Sequence, residues 1–265
     1  MEYSIKTHQG KRKTNQDFPG VYFNQSNVLL ALLADGLGGH QAGDIASEMA
    51  VSQLGNSWEQ TAFDEESLEA IKKWLIDKIN QENKRIYEAA NKHSDLKGMG
   101  TTLVAAVILK DEVLICNIGD SRAYRYKGKY LEQITEDHSF VSELQRKGEL
   151  TEEEAKNHCN KNALTRSLGV SGEVTSDFFL VLKSKVDTII LNSDGLTNAV
   201  ENKEIIALLA NSELSLDKKT SGLIQSAIEN EGSDNITVIL LLLKEGIENN
   251  SKKKWVKSNA QRRKN

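Results

Sequence analysis

The 265-residue chain has one proline, two cysteines and no long apolar run, and each shortage excludes a class of protein. Cys116 and Cys159 cannot build a disulfide framework or a four-ligand zinc site, and the five histidines show no metal-ligand spacing. The N-terminus lacks an apolar stretch of signal-peptide length, and every apolar run is much too short to span a bilayer. We therefore expect a cytoplasmic protein without a transmembrane segment.

Clustered positive charge is also absent from most of the chain. Residues 245–265 hold seven Lys and Arg against Glu245 and Glu248, so this end carries +5 of a total formal charge of −4, and residues 1–244 carry −9. An acidic body argues against nucleic acid as a partner, because binding to the phosphate backbone needs a clustered basic surface. We expect 245–265 to be a basic, disordered tail, with docking to an acidic partner or membrane surface as the alternative.

Hydrophobic periodicity predicts a mixture of short strands and amphipathic helices. Strand-like runs occur at 20–24, 28–34, 102–108, 112–118, 122–127, 188–193 and 236–243, and helical patterns at 43–58, 65–93, 139–147, 202–210 and 217–230. The two runs that flank residues 119–121 predict a hairpin. Grouped strands with helices between them favour an α+β layered architecture, and we expect a single domain over 1–244.

Aspartates stand where apolar strand-like runs end or begin, far apart in sequence: Asp35, Asp120, Asp194 and Asp234. If those strand ends converge, the carboxylates could coordinate Mg²⁺ or Mn²⁺, which prefer oxygen ligands and keep several waters. Asp35 and Asp194 are each followed by a helical pattern rather than a return strand, so turn chemistry alone does not explain them. For Asp120 a turn explains the residue equally well, and Asp234 could belong to an ordinary loop.

The segment 10–17 combines Arg12 with Asp17, five residues on. A forked guanidinium suits bidentate phosphate binding, and the acid could hold a metal beside it. The alternative is a solvated basic loop.

A competing motif is the C-x5-R spacing of Cys116 and Arg122, which is typical of cysteine-dependent phosphatases. Asp120 would place a negative charge inside such a phosphate cradle, and the residues after it alternate like a strand rather than opening a helix. Cys116 itself alternates within an apolar run as a buried small residue would. We therefore favour the metal-dependent chemistry over the thiolate.

A series of short motifs occurs in a characteristic order: RKTNQD at 12–17, ADGLGGH at 34–40, GMGTT at 98–102, GDSR at 119–122, TEDHS at 135–139, SDG at 193–195 and SDNIT at 233–237. With these motifs the chain resembles the metal-dependent serine/threonine phosphatases of the protein phosphatase 2C family, in their compact bacterial form. The resemblance covers roughly 1–244 and implies a four-layer α-β-β-α sandwich of two antiparallel sheets flanked by helices. It also implies a flap subdomain at about 145–175, bordering the cleft.

The resemblance further implies a metal centre with two tightly bound Mg²⁺ or Mn²⁺ ions. Asp35 would bridge them, Asp194 and Asp234 would hold the first, and the Gly36 carbonyl with Asp17, directly or through water, would hold the second. A hydroxide that bridges the two ions would attack phosphorus in phosphoserine or phosphothreonine of protein substrates. The catalytic residues would then be Arg12, Asp17 and Asp35, and a cognate serine/threonine kinase is the expected partner.

Two further residues follow from the same resemblance. Asp120 matches the position that, with Asp194, supports a third and weaker ion in bacterial members, and Arg12 would bind the substrate phosphate. Leu37 departs from the animal members, which carry a histidine proposed as general acid there; a water on the third ion is our preferred proton donor. The rival from another class is a catalytically silent adaptor that binds phosphoproteins or a kinase.

Overall fold

The computed structural model describes residues 1–38 and 42–243, so His40 and the basic tail lie outside the described residues. The strands of this part of the chain are β1 (Glu2–His8), β2 (Asp17–Phe23), β3 (Leu29–Leu37), β4 (Gly100–Thr101), β5 (Leu103–Ile108), β6 (Glu112–Ile118), β7 (Arg122–Lys127), β8 (Tyr130–Gln133), β9 (Asp177–Leu182), β10 (Thr188–Asn192) and β11 (Ile236–Leu242). Its α-helices are α1 (Ala42–Glu59), α2 (Leu68–Lys92), α3 (Phe140–Arg146), α4 (Glu152–Asn157), α5 (Asp194–Thr197), α6 (Asn202–Ala210) and α7 (Leu216–Glu229).

The strands form two antiparallel sheets. One has the order β1-β11-β10-β7-β8; the other has the order β2-β3-β5-β6-β9, with β4 paired to β3. Side chains from the facing surfaces of both sheets make one apolar cluster, which includes Leu33, Ile115 and Ile239. The expected α+β sandwich is therefore confirmed, with this cluster as its central layer.

Helices cover the outer face of each sheet and complete the four layers. The helices α1 and α2 pack on the β2-β3-β5-β6-β9 sheet, and α6 and α7 pack on the other sheet, each pair through its own apolar cluster. Ile71, Leu75 and Ile79 recur every four residues along α2 and are fully buried, which explains the strong helical pattern seen in the sequence. Strand β3 is apolar without alternation because both of its faces are covered.

The predicted hairpin around residues 119–121 is wrong. Strand β6 pairs with β5 and β9, whereas β7 pairs with β10 and β8 in the other sheet. The chain therefore crosses between the sheets at Gly119–Ser121 instead of turning back on β6. Small polar residues suit either connection, so local turn chemistry could not separate the two.

Three edge strands of the described sheets, β1, β8 and β9, were not predicted from the sequence, and neither was the two-residue strand β4. Strand β1 carries the mixed sequence EYSIKTH with a single buried residue, Ser4. Edge strands have one unpaired side and little burial, so their sequences carry a weak apolar signal. Among the described residues, no helix is both long and apolar enough to cross a membrane.

Candidate metal centre

Antiparallel pairing brings the predicted acidic residues to one end of the sandwich. Asp17, at the start of β2, stands directly opposite Asp35 near the end of β3. Strand β10 ends just before Asp194, and its last residue lies opposite Val238 near the start of β11, close to Asp234. The crossing at Asp120 follows β6 at the same end, because Asn192 also lies opposite Arg122, the first residue of β7.

Asp17 is buried and held by the loop that follows β10. The Ser193 hydroxyl donates to Asp17 Oδ2 at 2.7 Å, and Ser193 Oγ in turn accepts the Thr237 amide at 3.0 Å. Among the described residues, Asp17 Oδ1 is buried without a hydrogen-bond partner. This contact links the two sheets through a single carboxylate, with one oxygen still able to accept a ligand.

The backbone at Asp35 is anchored by two threonines. The Asp35 amide donates to Thr102 Oγ1 at 2.9 Å, and the Asp35 carbonyl accepts both the Thr101 hydroxyl and the Thr102 amide, each at 2.9 Å. Gly36 is buried, and its amide donates to the Gln16 carbonyl at 3.0 Å. These contacts anchor the end of β3, and the Asp35 carboxylate is close enough to the other acids for their charges to act on it.

Asp194 begins the short helix α5 directly after β10. Its Oδ2 accepts Asn198 Nδ2 at 3.0 Å, and its Oδ1 is buried without a partner in the described part of the chain. The next residue, Gly195, packs so closely that an added Cβ would lie 2.0 Å from the Asn235 carbonyl oxygen. Only glycine allows the loops that carry Asp194 and Asp234 to approach this closely.

Asp234 is paired with Arg12, 222 residues away in sequence. Arg12 Nη2 donates to Asp234 Oδ2 at 2.7 Å, and the Asn235 amide donates to Asp234 Oδ1 at 2.8 Å. The predicted phosphate-binding arginine and a predicted metal ligand therefore contact each other directly. Arg12 is more than half exposed, so its remaining guanidinium donors face the solvent side of the cluster.

The acids interact strongly through their charges. Burial, followed by the charges of neighbouring carboxylates, raises the pKa of Asp17 and Asp120 to about 7 and that of Asp194 to about 6. The pKa of Asp35 is raised well above its ordinary value by burial and then by the charges of Asp17, Asp194, Asp120 and Asp234. Without a cation this cluster cannot be fully ionised at neutral pH, because each carboxylate disfavours the charge on the next.

The donor set fits a hard divalent cation. In the described part of the chain, two buried carboxylate oxygens lack partners, and every candidate ligand atom is oxygen, as Mg²⁺ and Mn²⁺ require. Within residues 1–38 and 42–243, however, no group of three acidic, histidine or cysteine side chains is close enough together to bind one metal ion directly. An ion that keeps several waters agrees with both observations, because it needs only a few direct protein ligands.

Sequence reasoning missed the residues that support the acids. Ser193 and Asn235 belong to motifs noted in the sequence, yet nothing local indicated that they bond Asp17 and the 9–16 loop respectively. Asp137 was missed as well: it takes a forked ion pair from Arg122, the nearest contact at 2.6 Å, beside Asp120. Its TEDHS motif was the one available signal.

The thiolate alternative does not fit the structure. Cys116 is fully buried inside β6, and burial raises the pKa of its thiol to about 12. A reactive cysteine needs a low pKa and access to substrate, and Cys116 has neither. Arg122, the other half of the motif, is occupied by Asp137.

The α-β-β-α sandwich gathers buried acids from separate strand ends into a single cluster, and the proteins to which this chain is similar are phosphatases, which are hydrolases. Serine/threonine phosphatase stp of Listeria welshimeri is 46% identical to it over 91% of this chain and 95% of its own length. Protein phosphatase PhpP of Streptococcus pneumoniae is 40% identical over 92% of this chain and 98% of its own. The crystal structure of serine/threonine phosphatase Stp1 from Staphylococcus aureus superimposes with a TM-score of 0.87 at 37% identity, covering 92% of this chain and 95% of that one. The family model described as Protein phosphatase 2C matches residues 6–230, and the chain belongs to that family.

Proposed function

We propose that this enzyme hydrolyses phosphoserine and phosphothreonine in proteins with Mg²⁺ or Mn²⁺ as cofactor. The observation that carries the proposal is the convergence of mutually repelling carboxylates, with unpartnered oxygens on Asp17 and Asp194 among the described residues, at one end of the two sheets. Such a cluster is costly unless a cation neutralises it. Family membership and the names of the relatives support protein serine/threonine phosphatase activity.

The acids would divide between two tightly bound ions. We assign Asp35 to both ions because it faces the charges of all the other acids. Asp194 and Asp234, whose loops touch at Gly195, would hold one ion. The Gly36 carbonyl and Asp17, on paired strands, would hold the other. When bound, the ions would lower the pKa of a coordinated water to supply the nucleophile and would offset charge on the phosphoryl oxygens.

The chain's own residues would bind and orient the phosphate. Arg12 uses one nitrogen on Asp234, and a guanidinium has further donors in the same plane. The remaining donors would bind two phosphoryl oxygens in a forked arrangement, with the Asp234 contact fixing the orientation of the guanidinium. The Ser193 contact with Asp17 and the threonine contacts with Asp35 would keep both carboxylates in place during turnover.

A third and weaker ion is proposed at Asp120 with Asp194. Burial and the charge of Asp194 both raise the pKa of Asp120, so the two side chains share one electrostatic environment. Asp120 lies on the crossing between the sheets, where the Arg122 to Asp137 ion pair limits its direct neutralisation by Arg122.

Further parts of the assignment concern the cell and the domain. We propose one catalytic domain over 1–244, with a flap at about 145–175 that borders the cleft; this stretch contains α4 and is joined to the body by bridges of Leu164 to Ser139 and Leu168 to Thr101. We also propose a cytoplasmic location and opposition to a serine/threonine kinase, as the family resemblance suggests.

Release of phosphate from a phosphothreonine peptide, with Mn²⁺ or with excess EDTA, tests the proposal. Wild-type protein and Cys116→Ser should both be active with Mn²⁺ and inactive in EDTA. Asp194→Asn should lower turnover by orders of magnitude while the protein stays folded. Release that survives EDTA would restore the thiolate mechanism, and folded protein that releases nothing with Mn²⁺ would favour the silent adaptor.

The proposed role of Arg12 has its own test. Arg12→Ala should mainly raise KM, because a phosphate contact shared by substrate and transition state acts on binding. Arg12→Lys is the matched variant, since it keeps the charge and loses the fork. A loss confined to kcat would assign Arg12 to the transition state instead.

A further inference from the structure

The backbone of Gly119 is held from both directions by one histidine. The Gly119 amide donates to His138 Nδ1 at 3.1 Å, and the His138 amide donates to the Gly119 carbonyl at 3.0 Å. Asn117 Nδ2 also donates to that carbonyl at 3.2 Å. His138 is 1% exposed, so these bonds form where no solvent competes for them.

The residue held in this way determines the direction of Asp120. Gly119 has φ of +101°, and a Cβ there would lie 2.6 Å from Thr102 Cγ2, so the backbone adopts a conformation that only glycine tolerates. Asp120 follows directly. Because the peptide bond is planar, fixing both polar groups of Gly119 fixes the starting direction of Asp120.

The hydrogen bonds assign the tautomer of His138. Nδ1 accepts a hydrogen bond from the Gly119 amide, so the ring proton is on Nε2, which donates to Asp177 Oδ2 at 3.0 Å. Arg166 Nη1 donates to the other oxygen of Asp177 at 2.8 Å. The approach of Arg166 Nη1 to His138 Nε2 at 3.3 Å is then a contact between two donors that share Asp177.

The same histidine is tied to the segment that leads to Arg166. The Thr165 amide donates to the His138 carbonyl at 2.9 Å, and Ser139 forms a bridge with Leu164. The imidazole is therefore held by Gly119 at Nδ1 and by Asp177 at Nε2, and the main chain of His138 is held by the 164–166 segment. Nothing in the phosphate chemistry itself requires a histidine at this place.

We propose that His138 is a positioning residue for Asp120: its Nδ1, kept free of a proton by the Nε2–H to Asp177 bond, holds the Gly119 amide and so directs the Asp120 carboxylate toward Asp194. The inference rests on the proposed function, because Asp120 acts there through the weaker ion. Each polar contact given above for the His138 ring goes to Gly119, Asp177 or Arg166, none of which is a candidate metal ligand.

Two substitutions by amide side chains distinguish the roles of the two imidazole nitrogens. In His138→Asn the amide oxygen can occupy the place of Nδ1 and accept the Gly119 amide; in His138→Gln the amide nitrogen can occupy the place of Nε2 and donate to Asp177, which leaves the Gly119 amide unpaired. Phosphopeptide turnover is measured against Mn²⁺ concentration. We expect His138→Gln to raise the half-maximal Mn²⁺ concentration about tenfold or more, as loss of a partner that orients a metal ligand does. For His138→Asn the half-maximal Mn²⁺ concentration should stay within about threefold of the wild-type value, a smaller change than the loss of one typical hydrogen bond would cause.

Additional variants distinguish positioning from packing. Asp120→Ala should show the same Mn²⁺ dependence as His138→Gln, and the double variant should be no worse than Asp120→Ala alone, because both changes remove one function. Asp177→Asn, which needs no change in the buried ring, should share the effect and shift the His138 tautomer in the ¹⁵N NMR spectrum. If His138→Gln does not fold, Asp177→Asn provides the test in its place.

The results distinguish failure of the positioning role of His138 from failure of the proposed phosphatase function. Equal losses in His138→Asn and His138→Gln, a wild-type Mn²⁺ dependence in His138→Gln, or a further tenfold loss in the double variant would overturn the positioning role. Absence of Mn²⁺-dependent turnover in wild-type protein would overturn the proposed function instead. Calorimetric Mn²⁺ binding to wild type, His138→Gln and His138→Asn would then still decide whether the histidine positions a metal ligand.

Discussion

Replacing Asp17 with asparagine should stabilise the metal-free protein at pH 8 while abolishing its stabilisation by Mn²⁺. Asp17 is buried, carries one oxygen without a partner among the described residues and faces the charges of Asp194 and Asp234. Asparagine removes the negative charge and keeps the shape. A residue needed only for folding would behave in the opposite way, because its replacement would destabilise the protein with or without metal.

The magnitude follows from the pKa. The pKa of Asp17 is about 7 in the folded protein against 3.8 ordinarily, and this difference corresponds to roughly 4 kcal/mol. The raised pKa means that the folded state holds its proton more tightly, so the penalty is absent below pH 3.8 and complete above pH 7. The substituted asparagine can still accept the Ser193 hydroxyl, but its amide nitrogen would lack a partner, at a cost of about 1–3 kcal/mol. The net gain should be about 1–3 kcal/mol at pH 8.

Urea unfolding in EDTA at pH 8 and pH 5 measures this gain. At pH 5 the charge penalty on Asp17 falls to less than half, so the advantage of Asp17→Asn should shrink or reverse. Asp95→Asn, at an exposed position, is the matched control and should change little. A variant that is less stable than wild type at pH 8, or an advantage that does not decrease toward pH 5, would refute the electrostatic account of the cluster.

Three more outcomes test other parts of the structure. Mn²⁺ binding at pH 6.5 should release protons, because burial raises the pKa of Asp17 and Asp120 to about 7; calorimetry in buffers of different ionisation enthalpy should then give different heats, and equal heats would contradict it. Gly195→Ala should cost about 1–3 kcal/mol and weaken Mn²⁺ binding, since its Cβ would lie 2.0 Å from a backbone oxygen. Its control is Gly222→Ala, where the Cβ would meet only a movable leucine side chain, and similar losses in both would argue against a specific contact. Asn83→Ala should cost about 1–3 kcal/mol for each backbone group left unpaired around Gly169–Gly172, measured by urea denaturation. Its control is Asn91→Ala at an exposed position of the same helix, and equal losses in both variants would contradict the role of the buried contacts.

The most accurate predictions concerned elements that are covered on both faces. Strands β3, β10 and β11 lie in the middle of their sheets between two apolar layers, so their sequences are continuously apolar and easily recognised. Edge strands β1, β8 and β9 were missed for the converse reason. The failed hairpin at 119–121 has a different origin, because pairing depends on distant strands that no local window contains.

The acidic residues of the site were predictable because each stands at a strand end, where a carboxylate can be partly buried and still reach a cleft. Their partners were not. The contacts of Arg12 with Asp234 and of Ser193 with Asp17 join residues 222 and 176 positions apart. Their roles as ligands of particular ions stay proposals that the variants above test.

The sequence by itself determined the layered α+β composition and the identity of the charged groups, because periodicity and residue type are local properties of the chain. The resemblance in motif order extended this to a family. Only the tertiary structure decided which strands pair, that the chain changes sheets at Gly119–Ser121, and that the His138 ring contacts the Gly119 amide on one side and Asp177 on the other. Those features depend on the register of segments far apart in sequence, and register is decided when the two sheets and their helices close on a common core.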